Sequence, residues 1–167
     1  MRLREYSSAD LGPIFALDEV CFEPPFRFSA RAMRQFAEAR NALTVIAEAE
    51  TGEIAGFCIA HVERTRGTLS AYIVTLDVDP KQRRSGLASQ MVERIEQQAR
   101  EAGCNAMALH VSTENQGAIE FYERNGYERS HMVKSFYGLG RDAYVYRKPL
   151  ASTNERAREW SAFVKAN

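Results

Sequence analysis

The chain has 167 residues, of which 45% are hydrophobic and 26% charged, with 22 basic and 22 acidic side chains and no net charge. That is enough chain for one soluble domain with a two- or three-layer core, and the composition excludes disordered and fibrous classes. A zero charge balance gives no overall pull toward nucleic acid or an anionic membrane, so neither is expected as a partner.

A short strand around Arg2–Tyr6 leads to Ser8-Ala9-Asp10, a helix start with an acidic residue in its first turn. Pro13 is tolerated there because first-turn amides have no intrahelical acceptor, and the helix should reach about Cys21. Phe22-Glu23-Pro24-Pro25-Phe26-Arg27-Phe28 follows, barred from helix by its two prolines. Ser29 is a good N-cap for a second helix to about Ala39. Leu43–Ala49 and Ile54–Glu63 read as strands joined by the hairpin signal Glu50-Thr51-Gly52-Glu53, and a third strand spans about Thr68–Val78.

The helix from about Gly86 to Ala102 sets Leu87, Met91, Val92, Ile95 and Ala99 on one stripe, and Gly103 stops it. Ala106–Val111 is the next strand, and parallel pairing with the previous one would complete a βαβ unit. A shorter helix, about Gln116–Asn125, ends at Gly126. Two last strands, near Tyr127–Val133 and Asp142–Lys148, flank Gly138-Leu139-Gly140-Arg141. Residues 1–150 form one expected domain. Residues 151–167, with Trp160, Phe163 and Val164 among charges, form a tail expected to be helical and to pack on its own fold.

Met1-Arg2-Leu3-Arg4-Glu5 lacks the apolar core of a signal peptide, and no apolar run approaches membrane-spanning length. Cys21, Cys58 and Cys104 are odd in number and widely spaced, which suits a reducing compartment better than a disulfide framework. The expected setting is cytoplasmic, as a monomer or small homo-oligomer. His61, His110 and His131 lack close ligand spacing, so no metal is expected.

The most informative stretch is Tyr72-Ile73-Val74-Thr75-Leu76-Asp77-Val78 running into Asp79-Pro80-Lys81-Gln82-Arg83-Arg84-Ser85-Gly86-Leu87-Ala88. A strand, a glycine-containing turn and a helix in succession aim free backbone amides at one point, and the helix end adds about half a positive charge. A pyrophosphate fits such a cradle, with Gln82, Arg83 and Arg84 as donors at its rim. An ordinary strand-to-helix turn with solvated arginines fits the same spacing. The loop is neither a Walker motif nor a Rossmann fingerprint, and Gly138-Leu139-Gly140 precedes a strand, as a hairpin loop would.

Arg83-Arg84-Ser85-Gly86-Leu87-Ala88 matches the R/Q-x-x-G-x-G/A signature of the GNAT superfamily of acetyl-CoA-dependent N-acetyltransferases. Asn115…Ala118-Ile119…Phe121-Tyr122-Glu123…Gly126-Tyr127 resembles that family's second motif, and the likeness runs from the first helix to about Leu150. It implies an α/β fold, a central twisted mixed sheet with helices on both faces, and acetyl-CoA inserted where two parallel strands splay. It further implies that backbone at Leu76, Asp77 and Val78 aligns the pantetheine and that amides from Arg83 through Arg84, Ser85, Gly86 and Leu87 to Ala88 hold the pyrophosphate. Asn115 would bond the pantetheine arm, and Tyr122 would sit near the thioester sulfur.

Amide formation needs an uncharged amine, help for the oxyanion and a proton for the leaving thiolate. Tyr122 suits the last task, though a core aromatic would occupy the same place. His110, with an unperturbed pKa near 6.5, suits an α-amine of pKa about 7.7–8.0 better than a lysine near 10.4. It shares a strand face with the small Ala106 and Ala108, which leaves it room. Tyr72-Ile73-Val74-Thr75-Leu76 with Leu109-His110-Val111 resembles the eukaryotic N-terminal acetyltransferases of Met-starting chains, where the matching tyrosine and histidine form a water-linked base. The pattern is equally similar to the bacterial ribosomal-protein alanine N-acetyltransferases (RimI type), which have a glutamate in place of His110. That resemblance makes Tyr72, His110 and Tyr122 the catalytic candidates.

Phe22, Pro25 and Phe26, with Phe136 and Tyr137, match regions that close over a peptide N-terminus in those enzymes; they could equally cap the sheet. The expected partners are acetyl-CoA and a peptide or protein N-terminus, with transfer by direct attack on the thioester. A small-molecule amine acetyltransferase, a lysine acetyltransferase and a non-catalytic acetyl-CoA-binding module are the alternatives.

Overall fold

Period-two and period-3.6 patterns fall on strands and helices within a few residues of where they are expected. The computed structural model describes residues 1–151. Its order is β1 (Arg2–Glu5), α1 (Leu11–Cys21), α2 (Ala30–Ala37), β2 (Ala42–Glu48), β3 (Ile54–Thr65) and β4 (Thr68–Val78), followed by α3 (Leu87–Glu101), β5 (Ala106–Ser112), α4 (Gln116–Arg124), β6 (Glu128–Val133) and β7 (Ala143–Pro149). The strands make one sheet in the order β1-β2-β3-β4-β5-β7-β6. All neighbours are antiparallel except β4 and β5.

Helices cover both faces. On one, the α3 stripe of Leu87, Met91, Val92, Ile95 and Ala99 packs with Ile119 and Tyr122 of α4 against Val45, Cys58, Ile73 and Leu109. On the other, Ile14, Leu17 and Met33 of α1 and α2 meet Ile46, Phe57 and Ile59. Each such buried apolar side chain contributes about 1.5–3 kcal/mol. Glu96 is buried on α3 and pins three elements together. It accepts from the Tyr127 hydroxyl at 3.1 Å and from Lys148 Nζ at 2.9 and 3.0 Å, and Lys148 also donates to the Asn125 carbonyl at 2.9 Å.

Local chemistry explains where boundaries differ from expectation. Ser8–Asp10 is a separate 3-10 turn before α1, because the Asp10 carboxylate turns back to accept from the Ser7 amide at 2.8 Å and from Arg4. Pro24–Phe26 is also a 3-10 turn, since proline at the start of a turn forfeits no bonded amide. Ser29 caps α2 by accepting from the Ala32 amide at 3.1 Å, and α2 stops at Ala37, two residues early. Pro149 lies inside β7, where it closes the register opposite Ala106. The expected tail helix, with Trp160 and Phe163, lies outside the described residues. Among the described residues no helix is long and apolar enough to cross a membrane.

One irregularity shapes the site. Strands β3 and β4 pair Ile59 with Thr75 but Ala60 with Ile73, so Val74 is an extra residue in β4. A bulge of this kind bends its strand and raises its twist. Accordingly β4 pairs with β5 only at Ala71–Met107 and Tyr72–Ala108. Beyond Tyr72 the two strands diverge into an open cleft. The Asp79 amide donates to the Ala55 carbonyl at 2.9 Å. Because alternate residues turn their amides to opposite edges of a strand, Leu76 and Val78 face the cleft with theirs, and Asp77 faces β3.

Candidate active site

At the floor of the cleft β4 runs through a 3-10 turn, Pro80–Gln82, into α3. The Asp79 side chain accepts from the Lys81 amide at 2.8 Å, and the Ser85 hydroxyl donates to the Gln82 carbonyl at 2.6 Å, so the loop is held from within. Arg84 and Gly86 both have left-handed backbone, with φ of 61° and 81°. Alternation of hand turns successive amides into one concavity, which binds anions. Gly86 is the N-cap of α3 and supplies no side-chain cap, so the first amides of the helix stay free for a ligand. No protein atom lies within 4 Å of where a Gly86 Cβ would stand, so the glycine serves the left-handed φ. Arg83 and Arg84 are exposed beside the loop.

The open backbone edge of Leu76 and Val78 and this cradle are continuous, and together they fit an extended arm ending in a pyrophosphate. The side chain of Asp77 is buried on the face covered by α1. Asn115 caps α4 by accepting from the Ala118 amide at 3.1 Å, leaving its amide NH2 group for a ligand.

At the upper end of the cleft, register brings the polar residues together. Tyr72 lies opposite Ala108, and His110 is the next residue on that face of β5. The Tyr72 hydroxyl stands 2.8 Å from His110 Nδ1, and the rings meet at 60°. Burial pushes the Tyr72 phenol up to about 12, so it keeps its proton at any working pH. Burial, with a smaller contribution from His131, lowers the His110 imidazole below its usual value. The neutral form of His110 is thereby favoured.

Two loops close over this pair. Phe136 lies flat on the His110 ring, with centroids 3.9 Å apart. The Tyr137 hydroxyl donates to the His110 carbonyl at 3.2 Å. Phe26, from the segment between α1 and α2, packs edge-on against Tyr137 at 5.2 Å. Phe22 is half-buried and anchors its own segment, its carbonyl accepting from Arg27 Nε at 2.7 Å. Pro25 is exposed in its 3-10 turn. Tyr122 of α4 is buried, edge-on to Phe121 and Tyr127; burial holds its phenol well above 10, with the Cys58, Tyr137, Asp77 and Tyr72 side chains acting on it.

The family model for the acetyltransferase (GNAT) family matches residues 13–127, which include the bulged strand, the cradle and the α4 segment. The chain belongs to the GNAT family. Among curated proteins this GNAT chain is 31% identical over 122 residues to N-alpha-acetyltransferase MAK3 of Arabidopsis thaliana, a match covering 68% of this chain and 64% of that one. It is 29% identical over 123 residues to N-alpha-acetyltransferase 60 of Xenopus tropicalis, covering 60% and 51% respectively. The chain thus spans less than two thirds of either relative. Its fold is similar to that of the ribosomal-protein-S18-alanine N-acetyltransferase from Escherichia coli, with a TM-score of 0.79, 21% identity, and 92% and 97% of the two chains covered.

Three residues around this candidate site carry weaker sequence signals. Ser135 has a left-handed φ of 53°, and its amide donates to Asp142 Oδ1 at 2.8 Å, which sets the loop that delivers Phe136 and Tyr137. Asp18 and the Asp77 side chain are buried at positions that the apolar periodicity of α1 and β4 assigns to core. An acidic residue at a core position was the available signal.

Proposed function

We propose that this GNAT chain transfers an acetyl group from acetyl-CoA to a primary amine, the α-amine of a protein or peptide N-terminus. The observation that carries the proposal is the Tyr72–His110 pair, 2.8 Å apart, where the two strands begin to part. Acetyl-CoA, held by Leu76, Val78 and the amides from Arg83 to Ala88, with Asn115 beside the arm, supplies an activated thioester.

The work left to the protein is proton management. A hydroxyl that keeps its proton and a neutral imidazole make a relay: the Tyr72 oxygen takes a proton from the amine as its own passes to His110 Nδ1. An α-amine, with a pKa of about 7.7–8.0, is matched to such a weak base, whereas a lysine near 10.4 is not. Tyr122, buried on α4, holds a phenolic proton and is the donor to the leaving group. Phe26, Phe136 and Tyr137 form an apolar rim that keeps bulk water off the pair and receives the first residue of the acceptor. The names of the curated relatives support the α-amine as acceptor, and three cysteines left free among the described residues agree with a cytoplasmic setting.

The test is CoA release with four acceptors: a Met-starting peptide, an Ala- or Ser-starting peptide, an N-blocked lysine peptide and spermidine. Turnover confined to free N-termini is the expected result. Turnover on spermidine or the blocked peptide alone would overturn the α-amine assignment.

A further inference from the structure

We propose that Glu63 and Arg147 stand on opposite banks of an acceptor trough, where they select a basic second residue and an acidic third residue in the incoming chain. The assignment deepens the α-amine reading above and rests on it.

Register across four strands builds the trough. β3 and β4 pair His61 with Tyr72 and Glu63 with Ser70, so Glu63 is the diagonal neighbour of Tyr72 on one face of the sheet. β4 meets β5 at Tyr72–Ala108, and β5 meets β7 at Ala108–Arg147. Tyr72, Ala108 and Arg147 therefore form one row on that same face, with a methyl group at its centre. The floor stays closed beside this row, because the Asn105 amide donates to the Leu69 carbonyl at 3.0 Å. The helices on this face, α1 and α2, lie over β2, β3 and β4.

Both bank residues are exposed, and among the described residues neither has an ion-pair partner. At three strand spacings, about 14 Å, they stand too far apart to pair with each other. Glu128 lies opposite Arg147 in β6 without pairing with it. Arg64, next to Glu63, donates instead to the Gly67 carbonyl at 3.2 Å. The charge of Glu63 reaches the site: after burial and Tyr137, it is the next influence raising the Tyr72 phenol.

Other ways out from the Tyr72–His110 pair are occupied. Phe136 covers the imidazole, Phe26 closes on Tyr137, and the widening gap beyond Tyr72 is assigned to the acetyl-CoA arm. A chain whose first residue sits in the aromatic rim leaves over Ala108. Extended chain advances about 3.3 Å per residue and turns successive side chains to opposite sides. A diagonal neighbour such as Glu63 is about 7–8 Å from Tyr72, the reach of two residues. Arg147 is two strand spacings away, about 10 Å, the reach of three. The second side chain thus meets the β3 bank and the third meets the β7 bank.

The experiment uses the full chain and two peptides of one composition. Each begins with the first residue that the enzyme takes best, followed by Lys-Glu in one and Glu-Lys in the other. In the wild type, kcat/KM should favour the Lys-Glu order by roughly tenfold, two attractions in one order and two repulsions in the other at about twofold each. The ratio should shrink in high salt, as exposed charges are screened. Glu63→Lys combined with Arg147→Glu should reverse the preferred order, and each single variant should bring the ratio toward one. Using the ratio within each protein cancels any change in the base itself. Equal rates for the two orders, or an order unchanged in the double variant, would overturn the trough and leave the α-amine assignment standing. Binding of the labelled peptides to the CoA-loaded protein is followed in parallel by fluorescence anisotropy. The same order in binding, reversed by the double variant but with no peptide acetylated, would uphold the trough and remove the α-amine assignment instead.

Discussion

The Phe136 ring lies parallel to the His110 imidazole, 3.9 Å away and tilted by 2°, although 42% of Phe136 is open to solvent. On the proposed function it is a lid on the base as well as part of the acceptor wall. Covering an imidazole disfavours its charged form, and burial is the leading cause of the depressed His110 value.

Phe136→Ala should let that value climb back toward 6.5. More His110 is then protonated at pH 6 to 6.5 in the variant, so kcat/KM should fall there and recover above about pH 7.5, where the base is neutral in both proteins. Titration of the His110 ring protons by NMR checks the shift without turnover. A lower midpoint in the variant would contradict the role of the ring as a cover.

Tyr72→Phe and His110→Ala should each lower kcat by about a hundredfold or more, the lower range for a lost acid–base group. The double variant should be little worse than either single one, because both remove the same relay. A double-mutant cycle in kcat measures this. Simple multiplication of the two losses would separate the residues.

Gly86→Val should weaken acetyl-CoA binding with little loss of packing, since a side chain there meets no protein atom within 4 Å. The β-branched residue resists a φ of 81° and so reshapes the cradle, at about 1–2 kcal/mol, or roughly tenfold in affinity. Isothermal titration with CoA reads this directly.

Glu96→Ala should be a stability variant. It strands Lys148 and Tyr127, which both bond Glu96 under α3, and breaking a buried ion pair from one side costs about 3–5 kcal/mol. Urea unfolding should show a lower midpoint at an unchanged slope. Acetyl-CoA affinity per folded molecule should stay constant.

The sequence makes some of this legible for identifiable reasons. Gly86 and the Leu87–Ala99 stripe mark α3, and two glycine-bounded apolar runs mark β4 and β5, because turns and faces are local properties. Tyr72 and His110 become partners only through a register in which Tyr72 meets Ala108, and register is a relationship between distant segments. The divergence of β4 from β5 depends on the extra Val74, which no alternation pattern distinguishes from its neighbours. Asp18 and Asp77 break the apolar rule at core positions, and such breaks are where function or strain concentrates. The roles given to Phe136 and Tyr137 divide in space: one covers the imidazole of His110 and the other fastens its carbonyl.

The two pairings between β4 and β5 are a narrow seam joining a four-stranded half-sheet to a three-stranded one. On the proposed function, an arm lying along Leu76 and Val78 would act as the strand the sheet lacks, and its binding would mend the seam. Loading and folding then become one equilibrium. Each tenfold excess of ligand over its dissociation constant adds about 1.4 kcal/mol to the stability of the whole, and the thermal midpoint should climb with CoA concentration. On that reading the cosubstrate is a removable structural part of the fold.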